Sequence, residues 1–147
     1  MGSETPEVSG MISISDKMDV RKACDNILRN VESLGYGERD RFAVRLAVEE
    51  AATNAIIHGN KEDPDKKARI DYAVHKDRIS ITVTDEGEGF DYTTVANCTD
   101  PNHVTRTGGR GVCLIKEFMD EISCNEKGNS LTMVRFRGSY KGKGAQK

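Results

Sequence analysis

The sequence contains no tryptophan, few other aromatic residues and no excess of basic charge. Among its 147 residues, aromatic side chains make up 5%, and the formal net charge at pH 7 is −2. Proteins that bind nucleic acid usually present a basic surface, and those that bind single strands add aromatic rings on which bases stack. The composition therefore argues against direct binding of nucleic acid.

Long apolar runs and closely spaced cysteine pairs are also missing. No stretch approaches the roughly 20 apolar residues that a membrane-spanning helix needs, and the acidic, polar N-terminus is unlike a signal peptide. The four cysteines are scattered without a C-x-x-C pair, which favours reduced thiols over a zinc site or a disulfide framework. These absences predict a cytoplasmic protein that has no contact with a membrane.

Apolar periodicity instead predicts short strands and three helices. The strands are expected at residues 11–15, 68–74, 79–84, 120–125 and 131–137, and the helices at residues 16–34, 38–58 and 111–119. Helices placed between hairpin-connected strands are typical of an α+β protein. We therefore expect a two-layer sandwich, in which helices cover one face of a mixed, mainly antiparallel sheet.

The pattern also suggests where the domain begins and ends. Residues 1–10 are polar and predict a disordered leader, residues 11–137 predict the domain, and residues 138–147 predict a flexible basic tail. Residues 86–108 show little periodicity. A loop of that length inside a compact domain usually serves as a lid or a binding segment.

A carboxylate and a carboxamide lie four residues apart on the second predicted helix. At about 100° per residue, Glu50 and Asn54 lie about 40° apart on the helix. Their expected neighbours Phe42, Leu46 and Ile57 are apolar. An ionised carboxylate in such surroundings costs free energy unless it is paired or serves a function. The pair is therefore either a functional site or part of a partly exposed helix edge.

A second motif, Asp85-Glu-Gly87-Glu-Gly89, follows a predicted strand. The glycines allow a tight bend and a close approach of the backbone to a ligand. An Asp at a strand end can accept a hydrogen bond from an exocyclic amine such as that of adenine. The alternative is a turn in which the Asp side chain binds its own backbone.

A third motif, Gly108-Gly109-Arg110-Gly111, precedes the last predicted helix. Free backbone N–H groups and the positive end of a helix dipole can bind phosphate there, and an Arg adds charge. The alternative is a flexible hinge. The P-loop motif, the strand-borne G-x-G-x-x-G motif and the eukaryotic protein-kinase motifs are all absent from the sequence.

Together, the three motifs resemble those of the GHKL ATPase superfamily with its Bergerat fold. Within that superfamily, the chain is most similar to bacterial anti-sigma regulatory factors that are also serine-protein kinases. The resemblance covers roughly residues 11–137. The matching positions are Glu50 and Asn54 in E-x-x-x-N, Asp85, Gly87 and Gly89 in D-x-G-x-G, Gly109, Gly111, Leu114 and Ile115 in the second glycine box, and Thr132 on the last strand.

The resemblance implies a role for each polar group. Glu50 would be the general base, and Asn54 would coordinate Mg²⁺ at the ATP phosphates. Asp85 would accept a hydrogen bond from the adenine amino group, and Thr132 would support Asp85 through its hydroxyl or a bridging water.

The resemblance also implies roles for the glycine motifs. Gly87 and Gly89 would shape the adenine pocket, and Gly109, Arg110 and Gly111 would bind phosphates. The last box departs from the family pattern, because Asn129-Ser-Leu-Thr132 lacks the usual glycine before the threonine.

The function implied is that of an anti-sigma factor with ATP-dependent serine kinase activity, which regulates transcription by partner switching. Its partners would be an RNA polymerase sigma factor and a STAS-type anti-sigma antagonist, with ATP and Mg²⁺ as cofactors and a possible homodimer. The alternative is a nucleotide-sensing binding module without kinase turnover. A histidine-kinase catalytic domain would need a dimerisation helix pair, which a ten-residue leader cannot contain.

Overall fold

A computed structural model of the chain describes residues 5–87 and 109–142. The strands are β1 (Val8–Ile14), β2 (Ala68–Val74), β3 (Arg78–Thr84), β4 (Glu121–Cys124) and β5 (Ser130–Phe136); the helices are α1 (Lys17–Ser33), α2 (Glu38–Asn54) and α3 (Gly109–Phe118). A π-helical turn, Ala55–Gly59, continues α2. None of the helices in these ranges is long and apolar enough to cross a membrane.

The strands form one sheet in the order β1-β2-β3-β5-β4. The α+β prediction is confirmed, but the expected mixed sheet is wrong for the described strands, because each neighbouring pair is antiparallel. A single helix between two neighbouring strands would leave them parallel. Here two consecutive helices separate β1 from β2, and the second helix adds one reversal of chain direction. Consequently, β2 returns antiparallel to β1.

The hydrophobic core lies between the helices and one face of the sheet. Alternate strand residues point into it, as period-two side-chain geometry requires, and they include the fully buried Ile70, Ile81 and Met133. Asp16 caps α1 by accepting a hydrogen bond from the Asp19 N–H at 2.8 Å. The apolar face of α1 is buried: Val20, Ala23, Cys24, Ile27, Leu28 and Val31.

Both ends of the domain extend beyond their predicted limits. Strand β1 begins at Val8, so the expected disorder of residues 8–10 is wrong. Residues 138–142 fold back onto the domain, because the buried Arg135 guanidinium donates to the Lys141 carbonyl at 2.9 Å and the Gly138 N–H donates to Asp40 at 2.9 Å. The predicted flexible tail is therefore wrong for these residues. Residues 143–147 lie outside the described part, as does the predicted lid from residue 88 onward.

Candidate functional site

Glu50 and Asn54 lie on α2 at the border of the core, and both are half-buried. The fully buried face of the helix carries Val44 and Val48. Contrary to expectation, Phe42 does not join the core. It is 54% exposed, and its ring meets that of Phe118 edge-on, with 5.6 Å between centroids. Glu50 and Asn54 therefore lie on a helix edge that solvent and ligands can reach.

The Glu50 carboxylate is held in an environment that favours its protonated form. Burial raises its pKa above the ordinary value of 4.5, and the neighbouring charge of Glu49 adds to the effect. No residue in 5–87 or 109–142 donates a hydrogen bond to Glu50. By contrast, Glu49 points to another face, and its carboxylate lies 3.7 Å from the Arg45 guanidinium. Among the described residues, Glu50 is thus a carboxylate without a hydrogen-bond donor, and its raised pKa makes it more basic than an ordinary glutamate.

Asn54 is the last residue of α2, and the π-helical turn starts directly after it. Within the described ranges, its carboxamide makes no hydrogen bond, so its oxygen is available to a ligand. Asn54 and Glu50 precede Gly59 by five and nine residues in the chain. The two side chains are therefore carried by α2, which the π-helical turn continues as far as Gly59.

Asp85 lies against Gly59 at the end of the π-helical turn; it is 8% exposed and follows β3. Its Oδ1 accepts a hydrogen bond from the Gly87 N–H at 2.7 Å, which is the turn offered above as an alternative. Its Oδ2 takes no hydrogen bond from the described residues, so one oxygen remains available. Burial raises the pKa of Asp85, and the Gly87 N–H opposes that change.

Two glycines allow Asp85 to approach the end of the α2 helix. A Cβ atom at Gly59 would lie 2.3 Å from Asp85 Oδ2, and one at Gly87 would lie 1.9 Å from the Gly59 carbonyl oxygen. Real Cβ atoms do not approach so closely, so a larger residue at either position would force these groups apart. The motif beginning at Asp85 and the motif beginning at Glu50 thus meet at a contact between glycines.

Thr132 is not brought to Asp85. It lies on the sheet face opposite the helices, and its hydroxyl bonds to that of Thr82 at 2.9 Å. Asn129 contacts Asp85 instead: its carbonyl accepts from the Asp85 N–H at 2.8 Å, and its side chain donates to the Asp85 carbonyl at 2.9 Å. Because strand residues alternate between faces, the expected support from Thr132 is wrong.

Sequence reasoning also missed Asn60, which follows Gly59 and is 2% exposed. Its Oδ1 accepts a hydrogen bond from the Glu86 N–H at 2.8 Å. The position of Asn129 could have been predicted from the sequence, because Asn129 is two residues before the apolar Leu131 and so shares its face of the strand. No comparable periodicity marks Asn60.

The remaining predicted site residues are described only in part. Gly109, Arg110 and Gly111 form the first turn of α3, and Gly89 lies outside the described residues. On the same helix, Cys113 is disulfide-bonded, so the prediction of uniformly reduced thiols is wrong. Cys24 and Cys124 are free.

Comparisons with known proteins identify the family. The model of the histidine kinase-like ATPase domain matches residues 14–135. The serine-protein kinase RsbW of Bacillus subtilis is 32% identical over 110 residues, which cover 70% of this chain and 69% of that protein. The anti-sigma F factor of Oceanobacillus iheyensis is 34% identical over 99 residues, which cover 63% of this chain and 66% of that protein. The chain therefore belongs to the histidine kinase-like ATPase family, in the branch of the bacterial anti-sigma regulatory factors and serine-protein kinases.

Proposed function

We propose that this protein is an anti-sigma factor that uses ATP to phosphorylate a serine of a STAS-type antagonist, and so regulates transcription by partner switching. The observation that carries the proposal is the glycine contact at Gly59 and Gly87. It places the available oxygen of Asp85 at the end of the helix that bears Asn54 and Glu50. A base-recognising group, a metal ligand and a general base thus follow one another along the site.

In this proposal, Asp85 Oδ2 accepts a hydrogen bond from the amino group of adenine. Glu50, unpaired and more basic than an ordinary glutamate, takes the proton from the attacking serine hydroxyl. Phosphoryl transfer depends mainly on positioning and charge neutralisation, and the contact of Gly59 with Asp85 and Gly87 holds Asp85 against the end of the helix that carries Glu50. Gly87 and Gly89 let the backbone approach the base.

The site suits Mg²⁺ held mainly by phosphates and water. Among the described residues, no group of three or more His, Cys, Asp or Glu side chains could hold a metal ion. Mg²⁺ typically takes only one or two protein oxygens and keeps several waters, and the unbonded Asn54 oxygen fits that need. When bound, the ion would neutralise charge on the phosphates. Gly109, Arg110 and Gly111 would hold the phosphates from the start of α3, and Thr132 has no part in this proposal.

The proposed partners follow from the relatives. Those relatives are named serine-protein kinase and anti-sigma F factor, which supports a sigma factor and its antagonist as the two proteins bound. We further infer a cytoplasmic location, because sigma factors act there, and a homodimer as the working form. Direct contact with nucleic acid is not part of the function.

The central test is phosphoryl transfer from labelled ATP to purified STAS proteins of the host, with Mg²⁺ present. Glu50→Gln keeps the shape of the side chain and should reduce transfer by about 10²–10⁴, the usual contribution of a positioned general base. Binding of ADP and of the sigma factor should persist. The neighbouring exposed carboxylate provides a matched control, because Glu49→Gln should leave transfer within a few-fold of wild type.

A wild-type protein that binds Mg-ATP yet phosphorylates no host STAS protein would contradict the kinase activity. It would leave a nucleotide-sensing binding module as the function. A second measurement tests the metal: equal ATP affinity with and without a chelator would remove Asn54 from its proposed role.

A further inference from the structure

Asn60 lies where the end of the α2 helix meets the turn that carries Asp85. Its side chain is almost fully buried, and its Oδ1 accepts a hydrogen bond from the Glu86 N–H at 2.8 Å. Its own N–H donates to the Ala55 carbonyl at 2.8 Å and so closes the π-helical turn. A single residue therefore connects the helix to the turn.

The backbone after Asn60 is held in an uncommon conformation. Lys61 and Glu62 have φ angles of 54° and 58°, in the left-handed region that residues other than glycine rarely adopt. Such residues persist where the surrounding structure holds them. Here the Glu62 N–H donates to the Ile56 carbonyl at 2.8 Å, and the Asp63 N–H donates to the Asn60 carbonyl at 3.0 Å. Asn60 is thus fixed at a corner, and its carboxamide has a defined direction.

The carboxamide also carries a donor that the fold leaves unused. Asn60 Nδ2 is buried and has no hydrogen-bond partner among the described residues. Buried polar groups are nearly always paired, and an exception calls for an explanation. A residue selected for packing alone would not need this amide, whereas a residue that organises a binding site can retain it.

We propose that Asn60 is a positioning residue for recognition of the purine base, an inference that rests on the function proposed above. By holding the Glu86 N–H, Asn60 fixes the turn on which Asp85 stands. The available oxygen of Asp85 then meets the exocyclic amine of adenine at a constant distance from Asn54. Guanine carries a carbonyl at that position, so a fixed Asp85 repels it, and a loosened Asp85 can move away.

The test compares two variants that each lose a side-chain oxygen bound to a backbone N–H. Asn60→Ala frees the Glu86 N–H. Asp120→Ala frees the Phe136 N–H, which lies 2.7 Å from Asp120 Oδ2 at the other end of the sheet. Calorimetry with ADP and GDP measures base preference, because the two nucleotides carry the same phosphates. Asn60→Ala should reduce the preference for ADP by about 3- to 10-fold, the usual worth of one hydrogen bond, and Asp120→Ala should leave it unchanged.

Equal weakening of both nucleotides by Asn60→Ala, or an unchanged preference, overturns the proposal. Hydrogen exchange on the wild-type chain tests it without any variant. Saturating ADP should slow exchange of the Glu86 amide more than saturating GDP does, and equal slowing also overturns it. A wild-type chain that binds no adenine nucleotide overturns the proposed function as well, whereas ADP binding with an unaltered preference in Asn60→Ala overturns this inference alone.

Discussion

Glu50 is a site residue whose ionised side chain lowers the stability of the folded protein. A half-buried carboxylate that receives no hydrogen bond within the described ranges is less stable as an ion than it is in water, and its raised pKa expresses that difference. A protein under selection for stability alone would place a neutral residue there. The unpaired charge therefore indicates a function rather than a contribution to packing.

The raised pKa predicts how stability and activity depend on pH. The folded chain holds the Glu50 proton more tightly than the unfolded chain, so Glu50 lowers the free energy of unfolding as pH rises from about 4.5 through the folded pKa. A base works only when deprotonated, so transfer should fall as pH drops through that same raised value. Glu50→Gln should weaken the stability trend, since Asp85 still contributes to it, and should raise the free energy of unfolding at pH 8 by about 0.5 kcal/mol or more. Denaturant titrations of both proteins at pH 5 and pH 8 measure the free energy of unfolding and its pH dependence. A Glu50→Gln protein that is less stable than wild type at pH 8 would contradict the prediction.

Substitution of Asp85 by Asn should lower the affinity for ADP without unfolding the protein. In Asp85→Asn, the amide can still accept the Gly87 N–H through its oxygen. Its NH₂ group then faces the adenine amine, and a donor left unsatisfied costs about 1–3 kcal/mol, which lowers ADP affinity roughly tenfold or more. Calorimetry with ADP measures the change, and Asp71→Asn, an exposed change on β2, is the control. Unchanged ADP affinity in Asp85→Asn would place the adenine pocket elsewhere.

At the scale of elements, the end of α2 and the turn after β3 depend on each other. The helix supplies Gly59 and Asn60, and the turn supplies Asp85 and Gly87. A relative movement of the two elements would therefore disturb the Gly59–Gly87 contact and the hydrogen bond between Asn60 and Glu86. The separation between the base-recognising group and the catalytic helix is therefore set by backbone contacts rather than by long, adjustable side chains.

This dependence predicts that Gly59→Ala is harmful, although alanine normally favours a helix. Its Cβ would lie 2.3 Å from Asp85 Oδ2, so the carboxylate must move. We expect a loss of about 1–3 kcal/mol in stability, the usual cost of overpacking, together with weaker ADP binding. Gly37→Ala is the matched control, because nothing lies within 4 Å of its added Cβ. Thermal unfolding and calorimetry compare the two, and a Gly59→Ala protein that binds ADP normally would contradict the contact.

Periodicity predicted the helices and strands well because burial imposes it. The alternation of Ile79 and Ile81 and the helical spacing of Val44 and Val48 each reflect one buried face. The prediction that Thr132 supports Asp85 was wrong because a motif match gives a position in the sequence but not the face of the strand on which that residue lies. The contact at Gly59 could not be predicted, because it joins residues far apart in the chain and leaves no local pattern.

At the scale of the whole molecule, one buried ion pair joins four segments. Arg135 Nε lies 2.9 Å from Asp40 Oδ1, and the side chains are 1% and 5% exposed. The same guanidinium donates to the Phe118 carbonyl at the end of α3, at 2.8 Å, and to the Lys141 carbonyl. Strand β5, the start of α2, the end of α3 and the final described segment are therefore fixed by a single side chain.

Breaking this pair should destabilise the whole protein. Arg135→Met leaves the Asp40 charge buried without a partner, which typically costs about 3–5 kcal/mol. The matched control is Arg69→Met, because Arg69 lies at the same 2.9 Å from Asp71 but on the exposed surface. An exposed pair contributes about 0–1 kcal/mol. Urea denaturation measures both free energies of unfolding, and equal losses would show that burial does not determine the contribution of the Arg135 pair.

The sheet order has a consequence for synthesis on the ribosome. Among the described strands, β1 pairs with β2 alone, and Val8 lies opposite Val74, 66 residues later in the chain. Translation proceeds at roughly 5–20 residues per second, so β1 waits for roughly 3 to 13 seconds before its partner is made. During that interval α1 and α2 can pack locally, while the N-terminal strand exposes an unpaired edge. Slowing translation between residues 14 and 68 would lengthen that exposure and increase aggregation of nascent chains.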